Sequence, residues 1–445
     1  MDSMPRVTAR RVISRAVLGA GVALAAILSA FAATPGPAAR RYAREASAAL
    51  AGHDSPAALA LIEKAAALRP DHPPYLEALA RLEAMNQRPL DAIATLDRLA
   101  RMGVYLGVEA DRNFAPLRDS PDFREVSRRL RANRDPLGRG QVYFELPAMT
   151  GIIEGIAYRR ATGDFFFGDV RRRCVWLRRP DGSVRQFPPA DARLLGVFGL
   201  AVDESRGSLW AATTAVAEME GYRPADRNRA ALVEFALADG RVRHAVALPS
   251  DGAGHVLGDL AVAADGTVYA TDSLAPVVWC LPPGSSQLQR WLESEEFASL
   301  QGIAVTPDGK ALLVSDYGNG LFVIDRATRA IRLLTCPPDT TLSGIDGLAL
   351  VSDGSVVAVQ NGTEPRRVVR LWIDPVMRSV ARLDVLERGH HAMDDPTLGR
   401  LVDERFVFVG SSGWDRFASG GSAGAATPRS VPIFVTPLSG LAPTR

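Results

Sequence analysis

Lysine is nearly absent from this 445-residue chain, occurring only at Lys64 and Lys310. Lys and Arg together number 52, so arginine carries the positive charge. With so much alanine beside it, the bias reads as GC-rich coding rather than an arginine-specific function. Net charge is only +2, which argues against nucleic acid or a strongly anionic partner. Cysteine is scarce too. Cys174, Cys280 and Cys336 are far apart and odd in number, giving neither a metal spacing nor a disulfide framework. Nucleophile and nucleotide signatures are missing: there is no GxSxG elbow and no phosphate loop, and Gly318-Asn319-Gly320 reads as a turn. These absences set aside serine-esterase and nucleotide-dependent chemistry.

The N-terminus reads as a targeting segment, residues 1–35. Arg6, Arg10, Arg11 and Arg15 precede an apolar run from Ala16 to Ala32, and Ala30-Phe31-Ala32 offers small residues for cleavage. The run sits at the lower edge of what spans a ~30 Å bilayer core, so signal peptide and membrane anchor both remain open. Either way the expected location of the body is exported, in the periplasm or at the periplasmic side of the inner membrane.

Residues 36–135 are rich in Ala and Leu with helical spacing. Ala46 and Ala80 are 34 residues apart, as are Ala58 and Ala92. That is the period of a tetratricopeptide (TPR)-like helical repeat. The expected role is a surface for a protein partner or a cap packed on the C-terminal domain.

Residues 141–440 carry a recurring phrase: EGIA at Glu154, FGLA at Phe198, GDLA at Gly258, QGIA at Gln301 and DGLA at Asp346. A looser copy, DPTL, starts at Asp395. Steps of 44, 60, 43, 45 and 49 residues, with Asp-Gly hairpin turns between β-branched runs, predict a mainly β chain folded as a six-bladed β-propeller. The Gly of the phrase suits inner strands that converge too closely for side chains. The first letter varies while the rest stays put, so it marks the channel mouth and the candidate site. A second column, Asp169, Asp272, Asp316 and Asn361, repeats one chemistry and reads as turn structure.

Glu154-Gly155, Gln301-Gly302 and Asp346-Gly347, each opening a blade, resemble the gluconolactonase family, which includes senescence marker protein and luciferin-regenerating enzyme. The resemblance covers about residues 145–440. It implies one divalent cation, usually calcium, at the channel mouth, held by a first-blade Glu, middle-blade Asn residues and a late-blade Asp. Glu154 and Asp346 fit the first and last. Gln301 stands at one Asn position, and Gly258 leaves the other empty beside Asp259. The resemblance also implies Asp346 as catalytic base. Asp259, Asp395 and His255 are further channel-mouth candidates.

Carboxylates and amide oxygens suit a hard cation, which would polarise a lactone or ester carbonyl. The sequence supports two readings. One is a divalent-metal-dependent hydrolase of lactones or related esters; the other is a non-catalytic propeller that binds a ligand or scaffolds a complex through the TPR-like segment.

Overall fold

The computed structural model describes residues 35–187, 194–417 and 429–438. The targeting segment lies outside the described residues. Among those residues, no helix is long and apolar enough to cross a membrane.

Helices α1 (Pro35–Ala51), α2 (Ser55–Leu68), α3 (Pro73–Met85) and α4 (Pro89–Arg101) come first. The ends of α1 and α3, and the starts of α2 and α4, are 34 residues apart, so the period seen in the alanines is the period of the helices. Those alanines are where helices touch: Ala46, Ala58, Ala80 and Ala92 are all buried. Proline in the first turn starts α2, α3 and α4, and the Asp54 carboxylate caps the Ala57 amide at 3.0 Å. A 3₁₀ turn (Arg112–Leu117) and α5 (Pro121–Ala132) close the segment, with Phe114 and Phe123 in its core.

The rest of the chain forms six four-stranded antiparallel sheets. Five are built from consecutive strands, beginning at Ile153, Gly196, Leu257, Leu300 and Ile345. The sixth is closed by strands from both ends of the propeller segment: Gln141–Leu146 pairs with Val431–Pro437 and forms its outer strand. This closure leaves blade one no free side to splay from blade six. Alternation along each strand fills the space between blades. Phe165 and Phe167 pack toward blade six while Phe166 packs toward blade two. The Asp-Gly turns behave as their sequence demands, with Gly266, Gly309 and Gly354 at φ +90°, +70° and +85°.

The helical segment packs on blades four and five, against the loops at the end where the recurring phrase begins. Buried Arg69 donates to the Asn319 side-chain oxygen at 3.2 Å and its carbonyl at 2.7 Å. Arg367, 2 % exposed, donates to the Met102 carbonyl at 3.0 Å. The Tyr105 amide donates to the Glu364 carbonyl at 2.6 Å. Cys174, Cys280 and Cys336 are free thiols.

Candidate functional site at the channel mouth

Each of the first five inner strands carries a β-bulge across its phrase, between Ile153 and Ile156 in blade one and at the matching places in blades two to five. A bulge bends the strand and re-aims one side chain. The glycines then let neighbouring strands close up. A Cβ on Gly302 would meet the Asp346 carbonyl at 2.5 Å, and one on Gly199 would meet the Asp259 α-carbon at 2.6 Å.

This packing corrects the sixth copy of the phrase. Gly347 lies against Leu398 and the Thr397 carbonyl, as Gly302 lies against Asp346 and Gly347. Thr397, not Asp395, therefore holds the first-letter position, and its hydroxyl donates to the Glu154 carbonyl at 3.1 Å. Asp395 still reaches the mouth from the loop before it, where it accepts from the Ser412 hydroxyl and lies 3.8 Å from the Arg366 guanidinium.

Glu154 and Asp346 come together. Burial pushes the Glu154 carboxyl well above the ordinary range, the Asp346 charge adds to this, and Asp395 and Asp259 contribute further. The Trp414 indole opposes the shift by donating to Glu154 Oε2 at 2.9 Å. Asp346 is pushed up to about 7, again chiefly by burial, with Asp259 and Asp395 adding repulsion. The Tyr317 phenol, raised to about 12 by burial and then by Asp346, marks the rim above them. Gln301 faces blade three: its Oε1 accepts from the Ser273 hydroxyl at 3.3 Å and its Nε2 donates to the Ser299 hydroxyl at 3.1 Å.

Asn361 belongs to the site, contrary to its sequence reading as a turn residue. Asp169, Asp272 and Asp316 pair with the residue just before the first letter and accept backbone amides of their loops. In blade five that partner is Gln360, because the hairpin through Ser352-Asp353-Gly354 is one residue shorter than those of blades one and four and matches that of blade three. Asn361 is thereby displaced by one and turns to the other face. Its Nδ2 donates to Asp346 Oδ2 and to the Pro396 carbonyl, both at 2.8 Å. Its Oδ1 is buried with no hydrogen-bond partner.

Asp259 and His255 leave the set of free mouth groups. Asp259, 1 % exposed, takes the place of the phrase glycine and accepts from Arg400 Nη2 at 3.2 Å and the Ile303 amide at 3.4 Å. Arg400 also donates to the Leu200 carbonyl at 3.0 Å, so it spans the channel from blade six to blades two and three. Below it lies a cavity of about 350 Å³ lined by the apolar letters of all six inner strands. The pair is the floor of the mouth. His255 is 3 % exposed, with its ring nitrogens 2.6 Å from Asp272 and 3.0 Å from Asp251. Arg400 was legible once the sixth phrase is set at Thr397: it interrupts a column of Ala157, Ala201, Ala261, Ala304 and Ala349.

Among the described residues, no three His, Cys, Asp or Glu side chains converge as a metal centre of their own. No family model and no curated protein matches the chain. Among solved structures it is similar to six-bladed propellers of gluconolactonase and regucalcin type. A gluconolactonase from Xanthomonas campestris is 20 % identical, covering 66 % of this chain and 88 % of that one, with a TM-score of 0.46. A calcium-binding regucalcin from Agrobacterium tumefaciens is 15 % identical over 67 % of this chain and 93 % of that one, TM-score 0.47. Virginiamycin B lyase from Staphylococcus aureus is 14 % identical over 61 % and 81 %, TM-score 0.44.

Proposed function

We propose that this protein is a hydrolase of lactones or related esters, working with a divalent cation at the upper channel mouth. One observation carries the reading: Glu154 and Asp346 repel each other in a desolvated pocket while the buried Asn361 Oδ1 beside them lacks a donor. An unpaired acceptor next to two crowded carboxyls fits a hard cation, which takes carboxylate and amide oxygens. Glu154, Asp346 and Asn361 Oδ1 would hold it, with water completing the shell; Gln301 would have to turn away from Ser273 and Ser299 to add its oxygen. The cation would neutralise the pair and polarise a substrate carbonyl. Calcium is the expected ion.

The remaining work falls to the chain itself. Asn361 Nδ2 fixes Asp346 Oδ2, leaving Oδ1 to accept a proton from an attacking water. The water oxygen bonds to the acyl carbon, the ring C–O bond breaks, and the departing alkoxide takes from Asp346 the proton that the water gave up. Trp414 orients Glu154, and the Asp259–Arg400 floor keeps the reacting groups at the upper mouth. The basic, then apolar, N-terminus supports a place outside the cytoplasm.

Lactone hydrolysis with added calcium, with chelator, and in Asp346→Asn tests this. A base of this kind contributes roughly 10²–10⁴-fold, so kcat should fall by about that much in the variant. Activity that survives both chelation and the substitution would sink the proposal. Absence of hydrolysis under every condition would instead leave a ligand-binding module without catalysis, for which calcium should still bind on titration calorimetry.

A further inference from the structure

The upper mouth has two unlike halves. On blades one and two, Phe198 stands where Glu154, Gln301 and Asp346 stand in their blades. It packs with Ile152 and Val170, and half-buried Val216, Trp414 and Phe417 carry this apolar cluster outward. Phe198 and Trp414 have ring centroids 6.1 Å apart, and the Arg171 guanidinium lies 4.4 Å from the Phe417 ring centroid. On blades four to six the same level is polar, with Tyr317, Asn361, Arg366 and Asp395. Trp414 joins the halves, since one indole packs in the apolar cluster and donates to Glu154.

A ligand bearing hydroxyls on every side would leave some of them unpaired against Phe198, Val216 and Phe417. Buried polar groups without partners are costly, whereas hydrocarbon there gains from burial. Complementarity therefore selects a molecule that is polar at one end and apolar at the other.

We propose that the site takes amphipathic lactones or esters. Their carbonyl lies over Glu154 and Asp346, and an alkyl or aryl arm lies over Val216, Trp414 and Phe417. The chemistry of the carbonyl end rests on the hydrolase reading above; the apolar arm site does not.

The test compares γ-butyrolactone, γ-hexalactone, γ-octalactone and glucono-δ-lactone as substrates of the full-length protein. Each buried methylene is worth roughly a fourfold gain in kcat/KM. The four carbons added from butyrolactone to octalactone should raise kcat/KM by up to about 250-fold if fully buried, and by at least about tenfold if the arm buries slightly less than half of them, with gluconolactone below octalactone. A flat alkyl series, or a preference for gluconolactone, overturns the proposal. Val216→Ser and Phe198→Gln should each lower the chain-length slope; a slope unchanged in both also overturns it. Binding of 2-pyrrolidinone and 5-butyl-2-pyrrolidinone, lactams that resist hydrolysis, separates the two claims. Tighter binding of the butyl lactam without hydrolysis of any lactone keeps the arm site and removes the hydrolase. Equal binding of the two lactams removes the arm site whatever the hydrolysis shows.

Discussion

Arg400 occupies a column that the other five blades fill with Ala, and Asp259 one that four of them fill with Gly and blade six with Leu398, so a double-mutant cycle can ask what the pair does. At a separation of 3.2 Å, their attraction is about 5 kcal/mol for an effective dielectric near 20. Even so, burial holds the Asp259 carboxyl above its ordinary range and outweighs the pull of Arg400. Desolvation has cancelled much of the Coulomb gain, as is usual for buried pairs. Arg400→Ala strands a carboxylate that is 1 % exposed and should cost about 3–5 kcal/mol. Asp259→Gly leaves a guanidinium that can turn to the lower cavity, for a cost of about 1–2 kcal/mol. Restoring both sister-blade residues leaves mainly a void, costing roughly 1–2 kcal/mol. The singles should therefore exceed the double by about 2 kcal/mol or more. Urea unfolding followed by tryptophan fluorescence is the assay. All six tryptophans, from Trp176 to Trp414, lie in the propeller, so the helical segment is silent. Additivity to within about 0.5 kcal/mol would refute the reasoning, because the two side chains would then not share one buried interaction.

Two further outcomes concern the helical segment. Glu83 is 5 % exposed, and burial raises its carboxyl from 4.5 to about 7 against a hydrogen bond from Thr95. The folded state holds that proton more tightly than the unfolded one, so its contribution is present below pH about 4.5 and is lost as pH rises to about 7. Glu83→Gln should remove that slope and stabilise the segment above pH 7 by up to about 3 kcal/mol, read by far-ultraviolet circular dichroism in urea. An unchanged slope would mean Glu83 is solvated. Val369 stands at the register of Trp176 and Trp279. Two residues before it, Arg367 makes in blade five the bond those indoles make to Asp169 and Asp272, donating to Gln360 Oε1 at 2.7 Å and to the Met102 carbonyl at 3.0 Å. Arg367→Met should cost about 2 kcal/mol and speed amide exchange from Met102 to Tyr105; unchanged exchange there would show that Arg367 does not anchor the helices.

The blades were legible because each repeats a local code. Alternating apolar strands and Asp-Gly turns specify hairpins without long-range information, and six near-equal units leave a propeller as the way to bury both faces. The helix period was legible for the same reason, through Ala46, Ala58, Ala80 and Ala92. Glu154 and Asp346 could be chosen from the sequence because first letters of one column must share one mouth.

Three features needed the tertiary structure. Spacing alone puts Asn361 beside Asp169 and Asp316, and only strand pairing shows that one missing hairpin residue flips it to Asp346. Asp259 and Arg400 are 141 residues apart, and their meeting depends on the channel width rather than on either neighbourhood. The packing of the helices on blades four and five rests on buried arginines bonding carbonyls, and no residue pattern records which carbonyls a fold leaves open. Local sequence thus determined the strands, their turns and the ring of first letters. Tertiary packing decided which of those letters meet, what lies beneath them and which side of the mouth is apolar, because those facts depend on distances across the channel.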